Sequence, residues 1–188
     1  MCKNLCGLDY KIIGAEKIPD EKGIVFIKHS SVYELFVGLL LFSPSSWVAK
    51  HELMYLPLFR QAIKVFGFIP VKRGLGKSEV TKVIRDGTAR LREGSWIVIF
   101  PEGTRVAHGK TKKYGLSGAL LAVGTSSNIT PIAHNAGRYW GRRSLIKKRG
   151  SIVFSVGSQI STFGKSYDEI NEEAKTWIDA ETKRIDSL

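Results

Sequence analysis

The sequence lacks a long apolar segment and is poor in cysteine. Its longest apolar run, residues 35–42, covers only eight residues, whereas a helix that crosses a bilayer needs roughly 20. The N-terminus carries a basic residue, Lys3, but no apolar core of signal-peptide length. The two cysteines make neither a disulfide framework nor a zinc site. These absences predict a protein that is not secreted and has no membrane-spanning helix.

Acidic residues are outnumbered in most of the chain. The net charge is +12 at pH 7 over 188 residues. From Asp168 onward seven acidic and three basic residues give −4, which leaves +16 for residues 1–167. A region with this positive charge attracts polyanions, and part of the excess positive charge serves solubility. Charge alone does not tell whether the partner is nucleic acid, anionic lipid or a phosphorylated small molecule. The sequence carries no RNA-binding signature or zinc-finger spacing that would favour nucleic acid.

Short β-branched runs alternate with helical patterns along the chain. Strands are predicted at residues 11–13, 23–28, 47–49, 68–71, 96–100, 130–133 and 151–156. Helices are predicted at about residues 32–42, 58–65, 78–92, 116–124 and 166–186, the last beginning with a capping box. This rhythm predicts an α/β fold in which a mostly parallel central sheet is flanked by helices on both faces, in a single domain over residues 1–188.

A histidine and a carboxylate stand five positions apart where a strand is predicted to end. In one continuous helix His29 and Glu34 would lie about 140° apart, but Ser31 is a good N-cap that would place Glu34 in the first turn of the next helix. Glu34 can then hold one imidazole nitrogen while the other takes a proton from a substrate hydroxyl. The alternative is a capping box in which Glu34 bonds back to the Ser31 amide. By themselves these residues fit that common motif better than the rarer dyad.

A short polar turn follows the strand predicted at residues 96–100. Arg105 offers a planar fork for a phosphate or carboxylate, Gly103 lets the backbone come close, and Pro101 stiffens the exit. An ordinary turn with a surface arginine is an equally good alternative. Two further basic sites lie beside predicted element ends, at residues 72–73 and 112–113. Together the three fit an anion pocket at the edge of the sheet, where α/β proteins usually form their sites.

Two other residues allow both a structural and a functional interpretation. His134 could belong to the site, but a hydrogen-bonded structural histidine at a strand end fits its position better. Trp140 lies between Arg138 and Arg142 and could sit at a lipid interface.

In order and spacing these stretches resemble the motif blocks of the glycerolipid acyltransferase family, which is typified by the 1-acylglycerol-3-phosphate O-acyltransferases. Residues 29–34 are similar to the family's His-x4-Asp motif, with Glu34 where aspartate is commoner, as in bacterial members that look similar. Residues 67–73 resemble its second block and residues 129–137 its proline-containing fourth block. Residues 100–105 match its Phe-Pro-Glu-Gly-Thr-Arg block without change. The resemblance covers about residues 14–160 and precedes the amphipathic helix predicted at about residues 166–186.

The resemblance implies a role for each residue that matches a family motif. His29 would be the general base and Glu34 its partner. Arg73 and Arg105 would be ligands of the glycerol phosphate. The full set of residues implied to bind or enclose it is Lys72, Arg73, Glu102, Gly103, Thr104, Arg105 and Lys113. The strand end at Thr130 and Pro131 would line the acyl-donor side.

The resemblance also implies the activity and the partners. The enzyme would move a fatty acyl group from acyl-coenzyme A or acyl carrier protein to the free hydroxyl of 1-acylglycerol-3-phosphate, giving phosphatidic acid without a metal or other cofactor. His29 would deprotonate the hydroxyl, and backbone amides would stabilise the oxyanion. Alternatives are an acyltransferase with another lysolipid or an amine-bearing acceptor, and a non-catalytic protein that binds anionic lipid.

The expected location follows from the lack of a spanning helix and from the basic body. We expect a cytoplasmic protein, attached peripherally to the anionic inner face of the cytoplasmic membrane. The contact is expected near residues 36–42 or near Trp140.

Overall fold

Strands and helices alternate along the residues that the computed structural model describes, which are 6–55, 67–72 and 76–188. The strands are β1 (Leu8–Ile13), β2 (Ile24–Ile27), β3 (Ser45–Lys50), β4 (Ile69–Val71), β5 (Trp96–Ile99), β6 (Ile129–His134) and β7 (Gly150–Val156). The α-helices are α1 (Tyr33–Leu41), α2 (Lys77–Arg92), α3 (Leu116–Gly124), α4 (Ala136–Tyr139) and α5 (Tyr167–Asp186). Short 3-10 helices occupy Ala15–Lys17 and His51–Tyr55.

The seven strands form one mostly parallel sheet in the order β1-β7-β6-β2-β5-β3-β4. Strands β2 to β6 all run in the same direction, whereas β7 is antiparallel to β6 and β1 is parallel to β7. The strands β2, β5 and β6 therefore end at one edge of the sheet, here called the carboxyl edge. Because β7 runs the opposite way, the segment that precedes it also lies at this edge.

Each face of the sheet is covered by a different set of helices. Alternate residues of β2 point to opposite faces, as the period of a strand requires. Ile24 and Phe26 pack with buried residues of α2, α3 and α5. Val25 and Ile27 pack with α1, α4 and the aromatic side chains of the opposite face. The sheet is therefore buried on both faces, which explains the apolar character of its central strands.

The helix α3 lies unusually close to the sheet. An added Cβ at Gly118 would stand 2.6 Å from the Phe26 ring and 3.3 Å from the Ile99 side chain. Real Cβ atoms do not approach other heavy atoms so closely, and Phe26 is fully buried. Glycine at position 118 therefore lets the helix dock on β2.

The fold predicted from the sequence is confirmed. The predicted capping box of the last helix forms, because the Ser166 hydroxyl accepts from the Glu169 N–H and the Glu169 carboxylate accepts from the Ser166 N–H. The first strand begins at Leu8, earlier than the prediction, because it pairs in register with β7 from Gly150 onward. Pairing between such distant segments has no local sequence pattern. The helix predicted at residues 58–65 lies outside the described residues.

Candidate active site

His29 and Glu34 meet at the carboxyl edge, across the break between β2 and α1. The His29 Nδ1 atom lies 2.8 Å from the Glu34 Oε1 atom. The Glu34 carboxylate is fully buried, while the His29 side chain remains 17% exposed and lines a cavity. With Nδ1 held by the carboxylate, the neutral ring carries its proton on Nδ1 and leaves Nε2 to accept a proton from a ligand.

The Glu34 carboxylate also begins the helix. Both of its oxygens accept from the Ser31 N–H at 3.0 Å, and Oε1 also accepts from the Ser30 N–H at 3.1 Å. The Ser31 hydroxyl accepts from the Tyr33 N–H, two residues on. The prediction of Ser31 as N-cap is wrong by one residue, because Val32 is the N-cap and the Ser31 hydroxyl bonds to Tyr33 rather than to the Glu34 N–H. Only one half of the predicted capping box forms, the bond from the Ser31 amide to the Glu34 carboxylate, and the same carboxylate orients His29.

The turn after β5 holds the backbone of His29 from both sides. The Glu102 Oε1 atom accepts from the His29 N–H at 3.3 Å, and the His29 carbonyl accepts from the Val106 N–H at 2.7 Å. The imidazole stacks on the Phe100 ring, with centroids 3.9 Å apart and planes 17° from parallel. The turn after β5 therefore positions His29, a role that the sequence of the turn did not indicate.

Glu102 lies buried beneath the histidine. Burial raises the pKa of its carboxyl to about 7, although hydrogen bonds from the backbone and the Lys28 ammonium favour the ionised form. The Oε2 atom has no hydrogen-bond partner among the described residues. The backbone carbonyl of Glu102 accepts from the Lys112 ammonium at 3.0 Å. This glutamate supports the site from below.

His134 is a structural histidine. Its Nδ1 atom accepts from the Ala136 N–H, so its proton lies on Nε2 and is donated to the Lys28 carbonyl at 2.6 Å. Burial lowers the pKa of His134 below its ordinary value, against the attraction of the nearby Glu34 carboxylate. The neutral ring thus fixes the residue that precedes His29, as the sequence favoured. The Lys28 side chain turns away from the cavity and bonds to Asp179 of α5 at 3.4 Å.

The cavity beside His29 has a volume of about 520 Å³, within the range of about 300–1,000 Å³ that is typical of small-molecule sites. Its described walls are mostly apolar and extend beneath α2 and α3. The aromatic, leucine, isoleucine and valine residues among them are Phe26, Val32, Leu35, Trp47, Val48, Leu53, Phe68, Val71, Val80, Val83, Ile99, Phe100 and Leu116. Three basic side chains also line it, Lys50, Lys72 and Arg105. One site can therefore hold a long apolar group and an anion beside a base.

The structure brings some of the predicted substrate-binding residues together at this cavity. Lys72, Gly103 and Arg105 line it with His29. Gly103 has a φ of +66°, a backbone conformation that residues with a Cβ atom rarely adopt. The turn therefore depends on glycine at this position. The Lys72 N–H is tied to the Glu79 carboxylate at 2.8 Å.

Other predicted site residues do not line this cavity. Glu102 is buried below it, Thr104 is half-buried beside it, and Lys113 is exposed. Thr130 is fully buried in β6, and Pro131 in the same strand is also buried. The structure therefore does not bring Thr130 and Pro131 together with His29 at the cavity, and their donor-side role stays a prediction. Arg73 lies outside the described residues.

Two residues at the site, Lys50 and Phe100, had roles that the sequence interpretation missed, and a third, Lys112, was predicted only as part of a basic pair. Lys50 ends β3 at the carboxyl edge, so the strand-end argument applied to Lys72 would have found it. The sequence predicts Phe100 as the last residue of a strand, and only the fold shows that its ring stacks on His29. Within the predicted basic pair 112–113, Lys112 bonds to the turn, whereas the resemblance implies a role for Lys113. No local sequence pattern distinguishes Lys112 from Lys113.

A model of the Acyltransferase family matches residues 9–135. The chain belongs to the Acyltransferase family. This finding confirms the resemblance drawn from the four motif blocks, and it makes the chain an enzyme of the acyltransferase class. The family match covers the dyad, the cavity-lining strands and the turn at residues 100–105.

Relatives of this acyltransferase extend the match over most of its length. A 1-acyl-sn-glycerol-3-phosphate acyltransferase from Pseudomonas aeruginosa is 34% identical over 177 residues, which cover 93% of this chain and 69% of the relative. A protein of the same name from Borreliella burgdorferi is 24% identical over 187 residues, which cover 98% and 74%. The crystal structure of the 1-acyl-sn-glycerophosphate (LPA) acyltransferase PlsC from Thermotoga maritima superposes with a TM-score of 0.82. At 20% identity over 96% of this chain and 73% of that one, this last likeness shows the shared fold.

The helices of this acyltransferase differ in length and polarity. None of those in the described ranges combines the length and the apolar character that a membrane crossing requires.

Proposed function

We propose that this acyltransferase moves a fatty acyl group from a thioester donor to the free hydroxyl of 1-acylglycerol-3-phosphate, giving phosphatidic acid. The observation that carries the proposal is the position of His29, whose Nδ1 bonds to Glu34 while its ring lines a mostly apolar cavity. The names of the relatives from Pseudomonas aeruginosa and Borreliella burgdorferi support the choice of acceptor.

The lining of the cavity fits both parts of such an acceptor. The apolar walls beneath α2 and α3 suit an acyl chain, because burial of each methylene is favourable by about 0.8 kcal/mol. The Arg105 guanidinium and the Lys72 ammonium suit the phosphate. Gly103 lets the anion approach the backbone of the turn. The base therefore stands beside an apolar chain site and a phosphate site.

In the proposed reaction His29 is the general base. Its Nε2 takes the proton of the acceptor hydroxyl as the hydroxyl oxygen bonds to the thioester carbonyl carbon. The carbon–sulfur bond then breaks, and the thiolate leaves and recovers a proton from the imidazolium. Glu34 holds Nδ1 at 2.8 Å and stabilises the positive ring. No side-chain nucleophile is required, because the thiolate is already a good leaving group.

The proposed partners follow from this chemistry. The donor is acyl-coenzyme A or acyl carrier protein, used as a substrate, and the reaction needs no metal or other cofactor. Both substrate and product are lipids, and the net charge of +12 favours an anionic surface. We therefore place the enzyme peripherally on the inner face of the cytoplasmic membrane.

The experiment compares His29→Ala with the unsubstituted protein in a thiol-release assay with long-chain acyl-coenzyme A and lysophosphatidic acid. Removing the base should lower kcat about 10²- to 10⁴-fold, and a thermal unfolding curve checks that the variant is folded at the assay temperature. A panel of other lysolipids and amine-bearing lipids, offered with the same donor, tests the choice of acceptor. The matched control is His108→Ala, since His108 is part-exposed, contacts Asp186 at 3.5 Å and does not line the cavity.

Two outcomes would contradict the proposal. Turnover by folded His29→Ala within a few-fold of the unsubstituted enzyme would exclude His29 as the base. Faster turnover with another acceptor than with lysophosphatidic acid would keep the acyl transfer but reassign the substrate.

A further inference from the structure

Residues 140–149, here called the basic loop, hold two large aliphatic side chains in water. Leu145 is 91% exposed and Ile146 is 76% exposed. Five basic residues of the loop flank them, Arg142, Arg143, Lys147, Lys148 and Arg149. No aspartate or glutamate occurs between Glu102 and Asp168 to offset this charge within the surrounding sequence.

The loop is held in this conformation by its own hydrogen bonds. The Trp140 indole N–H donates to the Ser144 carbonyl at 3.1 Å, and the Ser144 hydroxyl donates to the Ile146 carbonyl at 2.8 Å. The Lys148 N–H donates to the Tyr139 carbonyl, which closes the base of the loop. The Lys147 ammonium lies 4.7 Å from the centre of the Trp140 ring. Leu145 and Ile146, here called the aliphatic tip, are thus exposed on a turn that its own hydrogen bonds hold in place.

The loop lies at the carboxyl edge, where His29 also lies. The strand β6 ends there at His134, which pairs with Phe154 of β7. Gly150, where β7 begins, stands four residues farther out, or about 13 Å along the strand. The loop that joins α4 to Gly150 therefore projects from the same edge at which His29 lies.

The charge of the loop distinguishes it from other apolar surface. Phe36 and Leu40 on α1 are also exposed, but no lysine or arginine occurs between Lys28 and Lys50. Cationic side chains around a small aliphatic tip match a surface with anionic head groups outside and hydrocarbon beneath them. A nucleic acid would use the charges but would give Leu145 and Ile146 no comparable environment.

We propose that the basic loop docks the enzyme on an anionic lipid surface, with Leu145 and Ile146 inserted between the head groups. This contact turns the carboxyl edge, where His29 lines the cavity, toward the membrane that holds the lipid substrate. The purpose of the contact rests on the proposed function, whereas the contact itself does not require it. The half-buried Trp140 acts as a support within the loop.

The test measures sedimentation of the purified protein with vesicles of phosphatidylcholine, with and without phosphatidylglycerol. Leu145→Ser/Ile146→Ser should weaken binding to the anionic vesicles at least about tenfold, since two aliphatic side chains lose their burial. Arg142→Gln/Arg143→Gln should weaken it roughly 10- to 30-fold at low salt. Thiol release with a short-chain, monomeric lysophosphatidic acid should stay unchanged for both variants.

Matched controls come from the opposite edge of the sheet. Phe163 is 94% exposed and follows Ile160, which pairs with the first residue of β6, so Phe163→Ser removes an exposed apolar side chain far from the loop. Arg90→Gln/Arg92→Gln removes two charges at the end of α2. Both controls should bind anionic vesicles as the unsubstituted protein does.

The outcomes separate this proposal from the catalytic one. Unchanged vesicle binding by both loop variants, or an equal loss in the controls, overturns the docking role whatever the enzyme activity. Binding of a DNA duplex that depends on Arg142 and Arg143, with vesicle binding unaffected, assigns the loop to nucleic acid and also overturns it. Loss of vesicle binding in the loop variants alone supports docking, even if His29→Ala contradicts the proposed chemistry.

Discussion

Replacing Glu34 by glutamine tests whether one carboxylate serves both the helix and the histidine. The substitution keeps the shape of the side chain and removes its charge. At present the carboxylate accepts from His29 Nδ1 at 2.8 Å and from the Ser30 and Ser31 N–H groups at 3.0–3.1 Å. The amide of glutamine supplies only one acceptor atom to these donors.

The size of the effect follows from these contacts. Hydrogen bonds to a charged group contribute about 1.5–3 kcal/mol each, against about 0.5–1.5 kcal/mol for neutral ones. Losing the charge-assisted bond to the developing imidazolium should raise the barrier by about 1.5–3 kcal/mol, which lowers kcat roughly 10- to 150-fold. If the amide turned its NH2 group toward Nδ1, the proton would move to Nε2 and the loss would be larger. The Ser30 and Ser31 N–H groups would also lose an acceptor, which should lower the free energy of unfolding by a further ~1–3 kcal/mol.

The assay is thiol release at saturating donor and acceptor, combined with urea unfolding. The matched control is Glu169→Gln, because Glu169 also bonds back to a serine at the start of a helix, yet it is exposed and contacts no histidine. The control should keep full kcat and lose less stability. Glu34→Gln protein that unfolds at a lower urea concentration but turns over within twofold of normal would show that the carboxylate is only a helix cap.

Two more predictions concern Glu102, which is buried next to His29, and Gly118, through which α3 docks on the sheet. The pKa of Glu102 is raised to about 7 from an ordinary 4.5, so between these pH values the native state keeps a proton that the unfolded state has lost. The contribution of Glu102 to the free energy of unfolding therefore falls as pH rises from 4.5 to 7, by up to about 3 kcal/mol. Glu102→Gln should remove this fall, and parallel pH profiles for the two proteins would refute the assignment. Gly118→Ala should lower stability by about 1–3 kcal/mol through its clash with Phe26, despite a gain of about 1 kcal/mol in helix propensity. Gly124→Ala, in the same helix but with no atom within 4 Å of the new Cβ, should not lose stability in urea unfolding.

The sequence was sufficient for most of the fold because its elements carry local patterns. The helix at Leu116–Gly124 and the capping box at Ser166 follow directly from apolar spacing and from short-range hydrogen bonds. The direction of β7 does not follow in this way. Its connection from β6 contains only the four-residue helix α4, and whether such a segment crosses over or turns back depends on pairing with the distant strand β1.

The site was predictable to the extent that its residues follow strands. A parallel sheet brings strand ends together, so His29, Lys72 and Arg105 could be expected to lie near one another. The direction of each side chain was not predictable in the same way. Glu102 and Arg105 stand three residues apart in one turn, yet Glu102 is buried below the histidine and Arg105 lines the cavity. Their directions depend on the turn around Gly103, whose backbone has a positive φ.

The turn at residues 100–105 connects two requirements of the proposed chemistry. Through Phe100 and Glu102 it fixes the ring and the backbone amide of His29, and through Arg105 it places a cationic side chain in the lining of the same cavity. A base and a phosphate ligand on separate mobile loops would lose their relative position whenever either loop moved. Here His29 and Arg105 both depend on one short segment, so their separation is set by covalent geometry and a few hydrogen bonds. Acyl transfer to a hydroxyl at a fixed distance from a phosphate requires this rigidity.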